Sequence, residues 1–254
     1  MLETFTIAEF GIFAAIALFA GFVHGSIGLG FPLLSTAILS TFIDLRTAIL
    51  ITLLPTVTVN LISIARGGNW SVSLGRYWPL AVWCLIGSIF GAYVIVLNDP
   101  TPFKMLLALL IFLYIIVERI RHESLGSVRK HPKASNMGFG LIAGFSAGST
   151  NTMVPILIVY SLEAGWAKTV MVQVMNMCFL SGKAAQLAVF SAAGTFNFSI
   201  ALYTLPLAAI AAVGLLLGNI LHDKINLIMF RKIIKVVLLL LGLILSVQVM
   251  SVYF

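Results

Sequence analysis

Eight long apolar runs divide the chain, at about 7–42, 47–65, 77–97, 102–118, 136–162, 168–191, 199–221 and 231–252. Each approaches or exceeds the ~20 residues that a helix needs to cross a bilayer. The pattern predicts an all-α polytopic membrane protein. Two of the runs are interrupted. The first breaks near 25–30 and the fifth near 148–152, where Gly, Ser, Thr, Asn and Pro replace aliphatic residues.

The two breaks are copies of one another. Ala20-Gly21-Phe22-Val23-His24-Gly25-Ser26 is followed six residues later by Pro32-Leu33-Leu34. Ala143-Gly144-Phe145-Ser146-Ala147-Gly148-Ser149 is followed six residues later by Pro155-Ile156-Leu157. The correspondence continues downstream. Arg46-Thr47 matches Lys168-Thr169, and Pro79 with Gly87 and Gly91 matches Pro206 with Gly214 and Gly218. Phe103-Lys104 matches Phe230-Arg231, and the offset stays between 122 and 127 residues. Four matches in order indicate a duplication. The expected organisation is a first transmembrane repeat at 1–118, a basic linker at 119–135 and a second repeat at 136–254.

Charge placement bears on how the repeats sit in the membrane. If all eight runs cross fully, the loop Lys and Arg residues divide seven against seven between the two sides. If runs one and five instead enter, turn at their breaks and leave on the same side, only Arg46 and Lys104 remain on one face and the other twelve share the opposite one. The positive-inside rule prefers the second arrangement. Each half then crosses three times, which inverts one repeat relative to the other. Both termini would be periplasmic and the basic linker cytoplasmic. A Gly/Pro kink in a continuous crossing helix is the alternative, and it leaves the charge tie unexplained.

Composition agrees with a membrane protein: 61% hydrophobic, 9% charged, with a mean hydropathy of +1.11. The net charge of +7 is spread between apolar runs, so it reads as a topology signal and not as a nucleic-acid surface. Cys84 and Cys178 lie inside apolar runs without metal-ligand spacing and read as packing residues. No zinc spacing, phosphate loop or catalytic Ser-His-Asp set occurs, and Asp44, Asp99 and Asp223 fall in loops. The expectation is a non-enzyme without a cofactor, with a homo-oligomer left open.

The breaks hold the candidate chemistry. Non-helical backbone at membrane depth requires satisfaction by protein or a wet cavity, and paired interrupted segments point to a transporter's substrate site. New half-helices starting near Phe31 and Val154, each with Pro in its first turn, would present free N–H groups and partial positive charge to an anion. No carboxylate lies near either break in the sequence. Candidate substrate-binding residues are His24, Gly25, Ser26, Gly28 and Gly30 at the first break, and Gly148, Ser149, Thr150, Asn151 and Thr152 at the second. The competing reading is that the hydroxyls simply cap helices. Lys183 is a charge well inside a span, sharing a helix face with Asn176 and Gln186; snorkelling is its bland explanation. Thr52, Thr56, Asn60 and Ser63 form a polar stripe that suits helix packing.

The segment Gly21-Phe22-Val23-His24-Gly25-Ser26-Ile27-Gly28-Leu29-Gly30-Phe31-Pro32, its second copy, and four runs per half resemble the sulfite exporter TauE/SafE family, also called the TSUP permeases. The resemblance covers nearly the whole chain. It implies a multi-pass permease of a prokaryotic inner membrane for small sulfur-containing anions such as sulfite, sulfonates or thiosulfate. The second copy departs in having Thr150-Asn151-Thr152 where the first has Ile27-Gly28-Leu29. An anion channel and a non-transporting membrane assembly or interaction protein are the alternative functions.

Overall fold

The computed structural model describes residues 6–68, 70–119 and 127–253, and these are helical apart from short turns. In chain order the helices are α1 (Ile7–Ile27), α2 (Phe31–Leu39), α3 (Leu45–Gly67), α4 (Trp70–Leu97) and α5 (Thr101–Arg119). There follow α6 (Ser127–Lys130), α7 (Pro132–Thr150), α8 (Val154–Ala164), α9 (Lys168–Ala192), α10 (Phe198–Leu221) and α11 (Leu227–Tyr253). Residues 120–126 of the expected linker lie outside the described part. Polar residues in the connections start the helices. Thr6 and Glu9 form a capping box on α1, Asp44 accepts from Thr47 N–H on α3, and Asn197 accepts from Ile200 N–H on α10. Both interrupted runs break as expected, and their second halves start at Phe31 and Val154.

Contacts fix the direction of each interrupted pair. α1 lies parallel to α10, with Gly21 on Ala211 and Gly25 on Leu215 and Asn219. Near its end the Ser26 carbonyl accepts from His222 Nδ1 at 2.6 Å. α2 then turns back until Leu39 packs with Phe13 and Ile16, and Thr41 O accepts from Gln248 Nε2 late in α11. This hairpin therefore enters and leaves at one end of the bundle, termed the Asp44 end. α7 lies parallel to α4, with Gly87 on Leu141 and Gly91 on Phe145. α8 returns to bring the Tyr160 hydroxyl onto Asn136 Oδ1 at 2.5 Å, and Trp166 against Tyr77. That hairpin enters and leaves at the opposite, Lys168 end.

Among the described residues, α1, α3, Ser73–Leu97 of α4, Phe198–Lys224 and α11 are long and apolar enough to cross a membrane. Outward-facing residues of α10 and α11, among them Leu202, Leu205, Ile220, Val236, Leu240 and Val247, are exposed and apolar, as a lipid-facing surface requires. Inside, α3 and α9 pack together at the centre, and α5 packs on α11 and α8.

The glycines of the duplicated motif make the tightest crossings. A Cβ on Gly25 would meet the Leu215 carbonyl oxygen of α10, and one on Gly148 the Ser88 carbonyl oxygen of α4. Gly214 and Gly218, and Gly87 and Gly91, supply the facing halves of these contacts. Backbones meet backbones there, which is how small residues drive helix association in lipid. The sequence analysis placed Gly25 among the candidate substrate-binding residues. In the structure it is an ordinary helical residue at a crossing. Gly25→Val and Gly148→Val should each lower the thermal midpoint of detergent-purified protein by about 5–10 °C, as overpacking of a tight contact does. Gly11→Val, at a position with open space around it, should leave the midpoint within about 2 °C.

Candidate functional site

At the first break α1 ends on Gly28, whose φ of 92° is left-handed and whose N–H bonds His24 O at 2.6 Å. Gly30 repeats the left-handed geometry at φ 111° and, as the N-cap residue of α2, has no side chain to cap it. His24 fills that role with its ring. Its Nδ1 accepts from Phe31 N–H at 3.4 Å and its Nε2 shares a 3.0 Å hydrogen bond with Ser63 of α3. The freed carbonyl of Gly28 accepts from Asn176 Nδ2 of α9 at 3.3 Å.

The second break reproduces the backbone with other chemistry. Asn151 stands where the first copy has Gly28, is left-handed at φ 62°, and bonds Ala147 O at 2.9 Å. Asn is the kind of non-glycine residue that tolerates this region, so the departure in sequence preserves the turn. Its Nδ2 also donates to Thr36 Oγ1 of α2 at 2.7 Å and to Thr52 Oγ1 of α3 at 3.0 Å. The last carbonyls of α7, Ala147 and Gly148, accept from Gln186 Nε2 at 2.9 Å each. Lys183 Nζ donates to Gln186 Oε1 at 2.5 Å.

α3 and α9 thus each touch both breaks. α3 reaches the second with Thr52 and the first with Ser63; α9 reaches the first with Asn176 and the second with Gln186. The two helices therefore run antiparallel. At ~1.5 Å per residue the breaks are separated by about 16 Å along α3. Between them Asn60 is fully buried, and both atoms of its amide lack a partner. The oxygens of Asn151 and Asn176 are also buried and unpartnered. Each such group costs about 1–3 kcal/mol unless water or a ligand meets it.

A cleft of about 250 Å³ runs between α2 and α8, under α5 and α11. Both interrupted pairs line it: Ile27, Leu29, Gly30, Leu33 and Leu34 from one, Val154, Ile158 and Leu162 from the other. Lys168 and Arg231 also line it. No side chain caps the first turn of α8, whose Val154 is at the cleft wall.

The candidate residues separate accordingly. Gly30 lines the cleft. Gly28 and Asn151 form the turns, while Gly25 and Gly148 face neighbouring backbones and lie toward opposite ends of the bundle. The hydroxyls of Ser26, Ser149, Thr150 and Thr152 donate to carbonyls of Phe22, Phe145, Ser146 and Thr150; their protons are committed to the protein. His24 and Asn176 brace the first break, and Lys183 adjoins the second. Sequence reading missed Thr36, and it read Lys168 and Arg231 only as topology charges. Glu163, in the last turn of α8, is buried. Cys84 and Cys178 are buried and free. Among the described residues no group of His, Cys, Asp and Glu could hold a metal.

Asn151 can be tested through its two roles. Asn151→Gly keeps the turn and removes the donors, whereas Asn151→Ala loses both. Thermal stability should therefore fall in the order wild type, Asn151→Gly, Asn151→Ala, with steps of about 1 kcal/mol. Equal stability of all three would mean that the link from the second break to α2 and α3 is idle.

No curated protein and no solved structure matches the chain. A family model described as sulfite exporter TauE/SafE matches residues 13–245, spanning both breaks, the cleft and the two central helices. The chain belongs to the TauE/SafE family of membrane permeases.

Proposed function

We propose that this protein carries a small sulfur-containing anion, such as sulfite or an organosulfonate, across a prokaryotic inner membrane through a site between two inverted repeats. The observation that carries this reading is the shared cleft. Gly30 and Val154, at the starts of the two returning half-helices, line one cavity although they belong to different halves of the chain. The uncapped N-terminus of α8 favours an anion. The hairpins' entry from opposite ends and the antiparallel course of α3 and α9 support the inverted arrangement. The repeats are 1–118 and 136–254, joined through 119–135.

The distribution of cations supports an orientation. Arg46 and Lys104 sit at the Asp44 end, while Arg66, Lys130, Lys133, Lys168, Lys224 and Arg231 sit toward the other. By the positive-inside rule the Lys168 end is cytoplasmic and both termini are periplasmic. A carrier is favoured over a channel by the hydrogen bonds that tie Asn151 of the second break to Thr36 and Thr52 of the first half.

Lys183 is 2% exposed, and among the described residues no carboxylate contacts it. Its Nζ is linked through Gln186 to the carbonyls at the C-terminal end of α7, the negative end of that helix dipole. In this reading Lys183 supplies positive potential at the deep end of the anion path.

Purified protein in proteoliposomes should move sulfite or short sulfonates and should leave sodium and neutral solutes behind. Absence of flux for every sulfur anion in a folded preparation would sink the permease reading. Lys183→Ala should lower flux at least tenfold, and Lys183→Arg should restore little, because the planar guanidinium does not fit a site built for one ammonium. Normal flux in a well-folded Lys183→Ala protein would leave Lys183 a purely structural residue.

A further inference from the structure

The duplication placed the same pair of cations at both ends of the bundle, and the structure treats the two pairs differently. At the Asp44 end Arg46 Nε donates to Ile95 O at 2.9 Å and its Nη2 to Asn98 O at 2.5 Å, so the guanidinium closes the C-terminus of α4. Lys104 Nζ donates to Gln248 Oε1 at 3.3 Å, and Asp44 lines the same crevice. Both cations are engaged and a carboxylate stands beside them.

Their counterparts are Lys168 and Arg231. The position matching Asp44 is Trp166, so the carboxylate of the first copy has no counterpart in the second. Lys168 is exposed at the first position of α9, where Ala167 offers no side-chain cap. A cation there opposes the helix dipole, so helix stability does not explain it. Arg231 Nε is buried without a partner. Both residues line the cleft, whose other walls are almost wholly apolar, including Val23, Leu33, Leu34, Ile158, Ile234 and Leu238. The positive-inside rule accounts for the side of the membrane on which they stand. It does not account for their convergence on one cavity.

We propose that Lys168 and Arg231 form an anion-capture site at the mouth of the cleft, shaped for a sulfonate whose short hydrocarbon group lies on the apolar walls. Building on the permease reading, this makes the Lys168 end the loading end. The ligand's oxygens take charge-assisted bonds from the ammonium and the orphaned guanidinium N–H. Its apolar part gains from burial between α2, α8 and α11. The equivalent pair at the Asp44 end, already bonded to carbonyls and Gln248, offers no such capture.

The test is calorimetric titration of the detergent-purified full chain with methanesulfonate and butanesulfonate. Butanesulfonate should bind at least tenfold more tightly, since each of its three additional methylenes contributes about fourfold when buried. Lys168→Gln and Arg231→Gln should each weaken binding about tenfold, the loss of one charge-assisted bond, and Lys168→Arg should largely retain it. Arg46→Gln should leave the affinity within twofold, provided its thermal midpoint is kept. Unchanged affinity in Lys168→Gln with Arg231→Gln would overturn the capture site, even where wild-type proteoliposomes carry sulfonates and the permease reading stands. So would equal affinity for the two sulfonates. In nanodiscs, displacement of butanesulfonate by added phosphatidylglycerol, but not by phosphatidylcholine, would assign the cations to a lipid phosphate and also overturn it.

Discussion

A helix interrupted inside an apolar slab leaves peptide groups that no lipid can satisfy, and the rest of this structure is arranged around meeting that demand twice. At the first break His24 takes the Phe31 N–H and Asn176 takes the Gly28 carbonyl. At the second Gln186 takes the carbonyls of Ala147 and Gly148, and Asn151 reaches across to Thr36 and Thr52. The freed peptide groups find their partners on α9 and in His24, while α3 holds the bracing side chains with Thr52 and Ser63. Each of these helices must therefore carry polar residues to two depths, and each must run past both breaks. Their antiparallel packing at the centre follows from that requirement.

The same demand separates residues that look alike in sequence. Ser26, Ser149 and Thr150 sit beside the breaks and resemble ligand donors, yet their hydroxyl protons serve carbonyls one turn back in their own helices. Gly25 and Gly148 are needed for the approach of α10 and α4. The cleft between α2 and α8 carries the uncapped start of α8, Gly30 and two cations on its walls, whereas the cavity at the Asp44 end has Arg46 and Asp44 on its wall. Asn60, buried between the breaks with neither amide atom partnered, is one of the polar groups there that the protein itself does not satisfy.

Much of this was legible in the chain. Run lengths gave the helices, and the breaks and half-helix starts at Phe31 and Val154 followed from Gly and Pro, whose backbone preferences are local. The Gly87/Gly91 and Gly214/Gly218 pairs announced packing surfaces. The partition of roles at the breaks was not legible, because a serine that bonds its own helix and one that faces a cavity have the same spacing. The interchange of Gly28 and Asn151 looked like a departure and proved to be a backbone equivalence. Thr36 carried no signal, since its importance arises only when Asn151 reaches it over 115 residues of sequence. Lys168 and Arg231 were visible as charges, but only the fold brings them to one cleft. Membership of the TauE/SafE family agrees with the membrane character and permease class read from the duplicated motif.

The central claim is that the two hairpins enter the bundle from opposite ends, and site-directed labelling tests it most directly. Single cysteines at Phe42 and Ala167, both exposed beyond the exits of the two hairpins, would be reacted with a membrane-impermeant maleimide in intact cells and in inverted vesicles. The account predicts opposite accessibility, with Phe42→Cys labelled from the periplasm and Ala167→Cys, like Ser127→Cys, labelled from the cytoplasm. Labelling of Phe42→Cys and Ala167→Cys from the same side would contradict it.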